Sequence, residues 1–343
     1  MLRKLLLILV GGLFSLIVLL GAVWMGLNWY GDQAIANQEE VGFVIEPGES
    51  LGKVTEKLND AGVIQYPEVF QVLARLDNVA TALKAGDYLI KLGLSRRELL
   101  AVFVEGRVRY YSITLVEGRT LKDVLTELNE HEKLTNPLSL SDVVNIVDTL
   151  EKGDNPEGFF YPDTYSFEAG ASVESILRIA HDRLEAVLAE EWSQRQKDLP
   201  YNSPYEALIM ASIIEKETGA PFERPDIAGV FVRRMNKGMR LQTDPTVIYG
   251  LGDRYEGKLN RRMLREYTSY NTYVIKGLPP TPIALVGREA INAALNPSSG
   301  KALYFVARGD GTHYFSDTLS EHNKAVRKYQ IVERREDYRS TVQ

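Results

Sequence analysis

The run PYEALIMASIIEKET, residues 204–218, closes an almost wholly apolar segment with Glu215, Lys216 and Glu217. Charged side chains are seldom buried unless they are paired or functional. At helical spacing Glu215 follows Leu208, Ala211 and Ser212 by seven, four and three positions and so shares their inward face. Glu217 follows Met210, Ile213 and Ile214 in the same way. Both acids fall in the last turn, where the helix dipole is negative. Loss of water and that dipole each disfavour the ionised carboxylate, so a raised pKa is expected, with Lys216 pulling the other way. A carboxyl that stays protonated near neutral pH is what a general acid needs. The plain alternative is a salt-bridged helix end, with Glu217 paired to Arg224 or Lys237.

The loops offer flat rings and neutral hydrogen-bonding groups: Phe159, Phe160, Tyr161, Tyr165, Gln242, Thr243, Tyr249, Asn271 and Tyr273. Rings that stack on sugar faces, with amides and hydroxyls reading sugar hydroxyls, are the expected lining of a glycan groove. Core packing is the competing role for each aromatic. Asp163 and Asp244 sit beside turn residues, where turn formation is their default work and support of the acid the sharper alternative.

Rival chemistries are poorly represented. The four histidines, His131, His181, His313 and His322, form no HExxH, which removes the usual zinc-hydrolase pattern. SxxK occurs at Ser50–Lys53 and Ser298–Lys301 without KTG, and GxSxG is missing. With no cysteine there is neither a disulfide nor a thiolate nucleophile. No glycine loop suited to a phosphate is present, so no cofactor is expected. The formal net charge of −6 argues against general nucleic-acid binding.

The 343 residues are too many for one small core. Residues 5–27 carry no charge and are long enough to cross a bilayer. Arg3 and Lys4 precede the run and Asp32, Glu39 and Glu40 follow it, so the remainder should lie outside the cytoplasm. The competing reading is a signal peptide cleaved near Ala34-Ile35-Ala36. After a polar linker, 31–40, FVIEPGESLGKVTEKLNDAGVI (43–64) reads as strand, Pro47-Gly48 turn, Ser50 cap and amphipathic helix. Seventy positions on, ITLVEGRTLKDVLTELN (113–129) repeats it, with Gly118, Thr120 and Leu121 matching Gly48, Ser50 and Leu51. A helix over 66–77, a strand over 86–92 and a helix over 95–104 lie between the copies.

Beyond residue 150 a helix is expected from Ser172 to about Trp192, then 204–218 with a capping box at Ser203–Glu206, then 223–237 ended by Gly238. The stretches around 239–252 and 270–287 read as loops. ALYFVAR and THYFS flank a turn at 309–311, and Ser320 should cap a final helix. The first strand–turn–helix copy is similar to the small LysM sugar-binding fold, although a purely structural role fits it equally well.

Together, ASIIEKET (211–218), RLQTDPTVIYGLG (240–252), YNTY…GLPPTPI (270–283) and EGFFYPDTY (157–165), behind one N-terminal apolar run, resemble the endolytic murein transglycosylase family, the MltG or YceG-like proteins. The resemblance covers most of the chain from about residue 40. It implies an α+β fold: a transmembrane helix within 1–30, a LysM-like region over 41–130 and a helix-rich catalytic domain over 150–335. It implies a single-pass protein of the inner (plasma) membrane that cuts peptidoglycan glycan strands internally, leaving 1,6-anhydromuramyl ends, with glycan polymerases as candidate partners. The catalytic glutamate of the family falls on Glu215, acting first as acid and then as base. Substrate-binding bets are Glu157, Tyr161, Asp163, Glu217, Gln242, Thr243, Asp244, Tyr249, Asn271 and Tyr273. Glu217 stays open as a second acid, which leaves a water-using muramidase as the near rival. A non-catalytic wall-binding scaffold is the rival of another class.

Overall fold

The computed structural model describes residues 2–147 and 155–333; the expected domain edges at 150 and 335 lie outside them. The described chain mixes helix and strand, with helix dominant, and divides into two compact units: 1–111 with 166–169, and 112–165 with 170–343.

The first unit opens with α1 (Leu2–Asp32), whose apolar side chains stand exposed over most of its length, as at Leu5 and Phe14. By length and composition it could cross a membrane. Then come β1 (Val41–Ile45), α2 (Leu51–Asp60), α3 (Pro67–Leu76), β2 (Gly86–Ile90) and α4 (Arg96–Glu105). β1 and β2 pair antiparallel, with Val41 opposite Ile90 and Ile45 opposite Gly86. Alternation along β1 turns Phe43 and Ile45 into a core with Leu58, Phe70, Tyr88 and Phe103. The segment after α1 is no free tether. The amide of Ile35 donates to Leu94 O at 2.9 Å and that of Ala36 to Val63 O at 2.8 Å, while the Ile35 side chain is buried.

β3 (Tyr110–Thr114) is followed by α5 (Leu121–Glu130), the short α6 (Leu140–Val144) and β4 (Thr164–Glu168), which pairs with β3. Both strand–turn–helix copies are present. In each, a glycine with positive φ (81° at Gly48, 75° at Gly118) reverses the strand, and a hydroxyl (Ser50, Thr120) accepts from the third helical amide.

The larger core is helical. α7 (Val173–Ser193), α8 (Pro204–Glu217) and α9 (Arg224–Asn236) are joined by α10 (Asp244–Leu251) and α11 (Arg288–Leu295). α8 lies at the centre: every residue from Ala207 to Glu215 is buried, and α7, α9, α10 and α11 all touch it. Ser203 caps α8 by accepting from Glu206 N, but Glu206 turns back to Asn202 instead of closing a box.

Two helices interrupt stretches read as loops. α10 starts at Thr243-Asp244-Pro245 and stops at Gly252, φ 54°. α11 buries Ala290, Ile291, Ala293, Ala294 and Leu295. Each has only eight residues, too few for its period to stand out among Gly, Pro and Thr. The hairpin forms as β5 (Tyr304–Ala307) and β6 (His313–Ser316), and α12 (Leu319–Val326) follows. Its cap is Thr318, not Ser320, because Glu321 sits where it can complete the box with Thr318.

Candidate active site

The end of α8 sends its two acids to opposite sides, as a two-residue step of about 200° around a helix requires. On one side both oxygens of Glu215 are engaged. Oε1 accepts from Arg224 Nη2 at 2.7 Å and Oε2 from the Gly287 amide at 3.0 Å. The side chain is only 3% exposed, and that of Arg224 6%. Arg224 also pairs with Glu289 and reaches Glu117 Oε1 at 3.6 Å. A Cβ at 287 would come within 2.5 Å of Glu117 Oε2, so that carboxylate would have to swing aside. Burial raises the Glu215 pKa, and Arg224 opposes that rise most strongly.

On the other side Glu217 forms part of the wall of a cavity of about 720 Å³, with Gln242, Thr243, Asp244 and Tyr273 beside it. Arg234, Tyr304 and His322 line it further along. Glu215 is not among its lining residues. The Glu217 carboxyl accepts from the Thr243 hydroxyl. It keeps some exposure, through the cavity, yet protein surrounds it closely enough that desolvation pushes its pKa up to about 7. Thr243 works against that rise and the nearby Asp244 adds to it. Asp244 is exposed, lies in the first turn of α10 and accepts from Tyr273 OH at 2.6 Å. Arg234 is occupied with the carbonyls of Leu303 (2.6 Å) and Leu241 (2.7 Å) and stacks near Tyr304.

Backbone geometry sets this wall. Gln242 adopts φ 54°, unusual for a residue other than glycine, and its amide donates to Thr272 O at 3.2 Å. Thr243 N donates to the Thr272 hydroxyl at 3.1 Å, and Thr246 shares that hydroxyl at 2.8 Å. The QTDPT and YNTY stretches are thereby held edge to edge, which brings Gln242, Thr243, Asp244 and Tyr273 to the same cavity as Glu217.

The remaining bets lie elsewhere. Glu157 is buried, accepting from Leu121 N at 2.9 Å and Tyr249 OH at 3.2 Å, and burial lifts it to about 7. Tyr249 packs on Tyr270 and takes a bond from Asn155. Asp163 pairs with Arg183 at 2.6 Å, and that guanidinium also covers the Tyr161 ring. Asn271 is 1% exposed and donates to the carbonyls of Met263, Leu264 and Glu266. His313 is bound to Glu223 at 2.8 Å, not to His322. Arg224 was visible in the sequence only as a partner for Glu217. Helical spacing puts Arg234 on one side of its helix with Ile227, Val230 and Phe231 but does not show what it meets, and Tyr304 and Gly287 carry no signal of their own, because the partners of all three come from distant parts of the chain.

A carboxyl that holds its proton to about pH 7 on the wall of a polar, aromatic cavity is the equipment of an acid–base catalyst. The chain belongs to the YceG-like family, whose profile matches residues 43–328. It is 30% identical over 304 residues to the endolytic murein transglycosylase of Bacillus subtilis (strain 168), covering 83% of each chain. It is 26% identical over 325 residues to the protein of the same name from Streptococcus pneumoniae D39, covering 83% of this chain and 57% of that one. A crystal structure of a YceG-like protein from Listeria monocytogenes matches with a TM-score of 0.51 at 31% identity, over 84% of this chain and 99% of that one.

Proposed function

We propose that this protein is an endolytic lytic transglycosylase of peptidoglycan, with Glu217 as its proton donor. One observation carries the assignment of the acid: of the two glutamates at the end of α8, Glu217 is the one on the cavity wall, and its pKa is near 7. Glu217 protonates the glycosidic oxygen between N-acetylmuramic acid and N-acetylglucosamine, and the bond from that oxygen to the muramyl anomeric carbon breaks. The muramyl C6 hydroxyl closes on the anomeric carbon and gives its proton to the Glu217 carboxylate. The products are a 1,6-anhydromuramyl end and a free N-acetylglucosamine end, and the acid is restored without water. Because the nucleophile belongs to the substrate, its effective concentration is high and no second carboxylate has to activate water. Asp244, beside Glu217, and Tyr273 line the space where positive charge develops on the sugar.

Glu215 is the second reading for the acid, since burial raises its carboxyl too. Against it stands the engagement of both its oxygens by Arg224 and Gly287. In our reading Glu215 fixes the end of α8 against α9 and the 287 turn.

The N-terminal helix serves as a single-pass anchor that leaves the rest of the chain on the outer face of the plasma membrane. The burial of Ile35 supports retention over cleavage at 34–36. The 41–130 region acts as a LysM-like glycan holder and 150–335 as the catalytic part, cutting nascent strands near the polymerases that make them. Digestion of purified murein by the full chain, followed by mass spectrometry, tests the reaction. Anhydro-ended fragments from within strands are expected; reducing muramyl ends would mark a muramidase, and unchanged murein a scaffold.

A further inference from the structure

α10 begins on the cavity wall at Asp244 and carries the chain to the loop after Gly252. Within that loop, KLNRRMLR (258–265) holds four cations and no acid, in a chain whose net charge is −6. Arg254, Arg261, Arg262 and Arg265 line a second hollow, of about 580 Å³, with Glu266. Arg254 donates to Glu266 at 2.7 Å. Arg261, Arg262 and Arg265 are exposed and have no carboxylate partner among the described residues. Such like charges repel, so something must hold the loop together. The buried Asn271 amide does so by donating to the Met263, Leu264 and Glu266 carbonyls, and Asn260 Oδ1 accepts from the amides of Arg262 (3.0 Å) and Met263 (3.1 Å). Two residues past Asn271 the chain returns to the cavity wall at Tyr273. The basic hollow is thus tied to the cavity at both ends, by one helix of about 12 Å and by the Asn271 clasp.

We propose that this arginine hollow binds the carboxylates of peptide stems carried by the glycan strand being cut in the neighbouring cavity. The inference rests on the transglycosylase reading and deepens it by naming a substrate preference. Guanidinium groups match carboxylates in two-pronged geometry, and three of them are free to do so. The span of α10 is comparable to a disaccharide, so a stem on a sugar next to the cleaved bond falls within reach. A shallow basic hollow joined to the wall that bears Glu217 by one short helix lies where a stem of the bound glycan would pass, which favours a peptide carboxylate over a lipid headgroup.

The test uses the full chain in detergent, murein strands bearing stems, and the same strands stripped of stems by an amidase. The wild-type KM is expected to be about tenfold lower on stem-bearing strands, an advantage that shrinks with added salt. R261Q/R262Q/R265Q should raise the KM for stem-bearing strands to the stripped-strand value, leaving kcat and stripped-strand cleavage unchanged. The single substitution R262Q should give a smaller rise of the same kind and serves if the triple variant does not fold. An unchanged KM for stem-bearing strands overturns the proposal. So does an unchanged KM accompanied by lost binding to phosphatidylglycerol vesicles, which assigns the cluster to lipid. If the wild-type protein cuts neither substrate, the transglycosylase reading fails on its own. Binding of a free stem tetrapeptide, but not its fully amidated form, then upholds the arginine site, and equal binding of both rejects it.

Discussion

Glu215 and Glu217 are two residues apart, alike in charge and both shifted upward by burial, yet they stand in opposite kinds of surroundings. Both oxygens of Glu215 are bonded, one by a guanidinium and the other by a backbone amide, and these oppose the repulsion from the nearby Glu117. Glu217 has one hydroxyl bonded to it, the opposed charges of Asp244 and Arg234 nearby, and a cavity. A satisfied buried charge holds structure together; an under-satisfied one beside open space holds a proton ready for transfer. Burial alone does not mark a catalytic acid. What distinguishes the two is where their remaining hydrogen-bonding capacity points.

That contrast can be broken by experiment. The largest effect on stability is expected from Glu215→Gln, which leaves Arg224 without its buried carboxylate partner and paired only with the exposed Glu289 and Glu117. Chemical denaturation should show a loss of about 3 kcal/mol. A loss below about 0.5 kcal/mol would deny Glu215 its structural role. Next, if Glu217 must be protonated to act, kcat/KM should fall above about pH 7, approaching tenfold per pH unit. A profile flat from pH 6 to 9 would remove it as the titrating acid.

Glu157 supplies a buried control away from the cavity. It stays protonated in the folded chain to about pH 7, while in the unfolded chain it ionises near pH 4.3. Between those values the folded state holds the extra proton, so its contribution to stability is complete below the window and is lost as pH rises through it. Glu157→Gln should flatten stability between pH 4.5 and 7 by up to about 3 kcal/mol, measured by denaturation at each pH. An unaltered slope would contradict the burial argument. The smallest effect is reserved for Asp244→Asn. Removing that charge should lower the Glu217 pKa and move the falling limb of kcat/KM toward acid by less than about one unit. A shift toward alkali would rule out repulsion between the two carboxylates.

The sequence made α8 legible because a Ser-Pro start and an apolar run on all faces have few other solutions. It also showed that the two acids lie on different faces. It could not show which face meets a cavity, since periodicity separates inside from outside but not a packed inside from a hollow one. Arg224 was in view as a salt-bridge partner, but its capture of Glu215 in preference to Glu217 depends on the start of α9 meeting the turn at Gly287. Asn271 looked like a groove amide because it sits among Tyr and Thr; its work as a clasp depends on three carbonyls that only the folded loop presents. Gln242 to Asp244 and Tyr273 were recognisable as one group, and Thr272 is the residue that joins their two stretches.

The two glutamates are separated by incubating Glu217→Gln and Glu215→Gln proteins with purified murein at pH 6 and counting anhydromuramyl ends by mass spectrometry, alongside their melting temperatures. Glu217→Gln should melt like the wild type and form anhydro ends about a thousandfold more slowly, whereas Glu215→Gln should melt lower and retain cleavage in proportion to its folded fraction. Wild-type rates from Glu217→Gln, with cleavage abolished in a well-folded Glu215→Gln protein, would contradict the assignment.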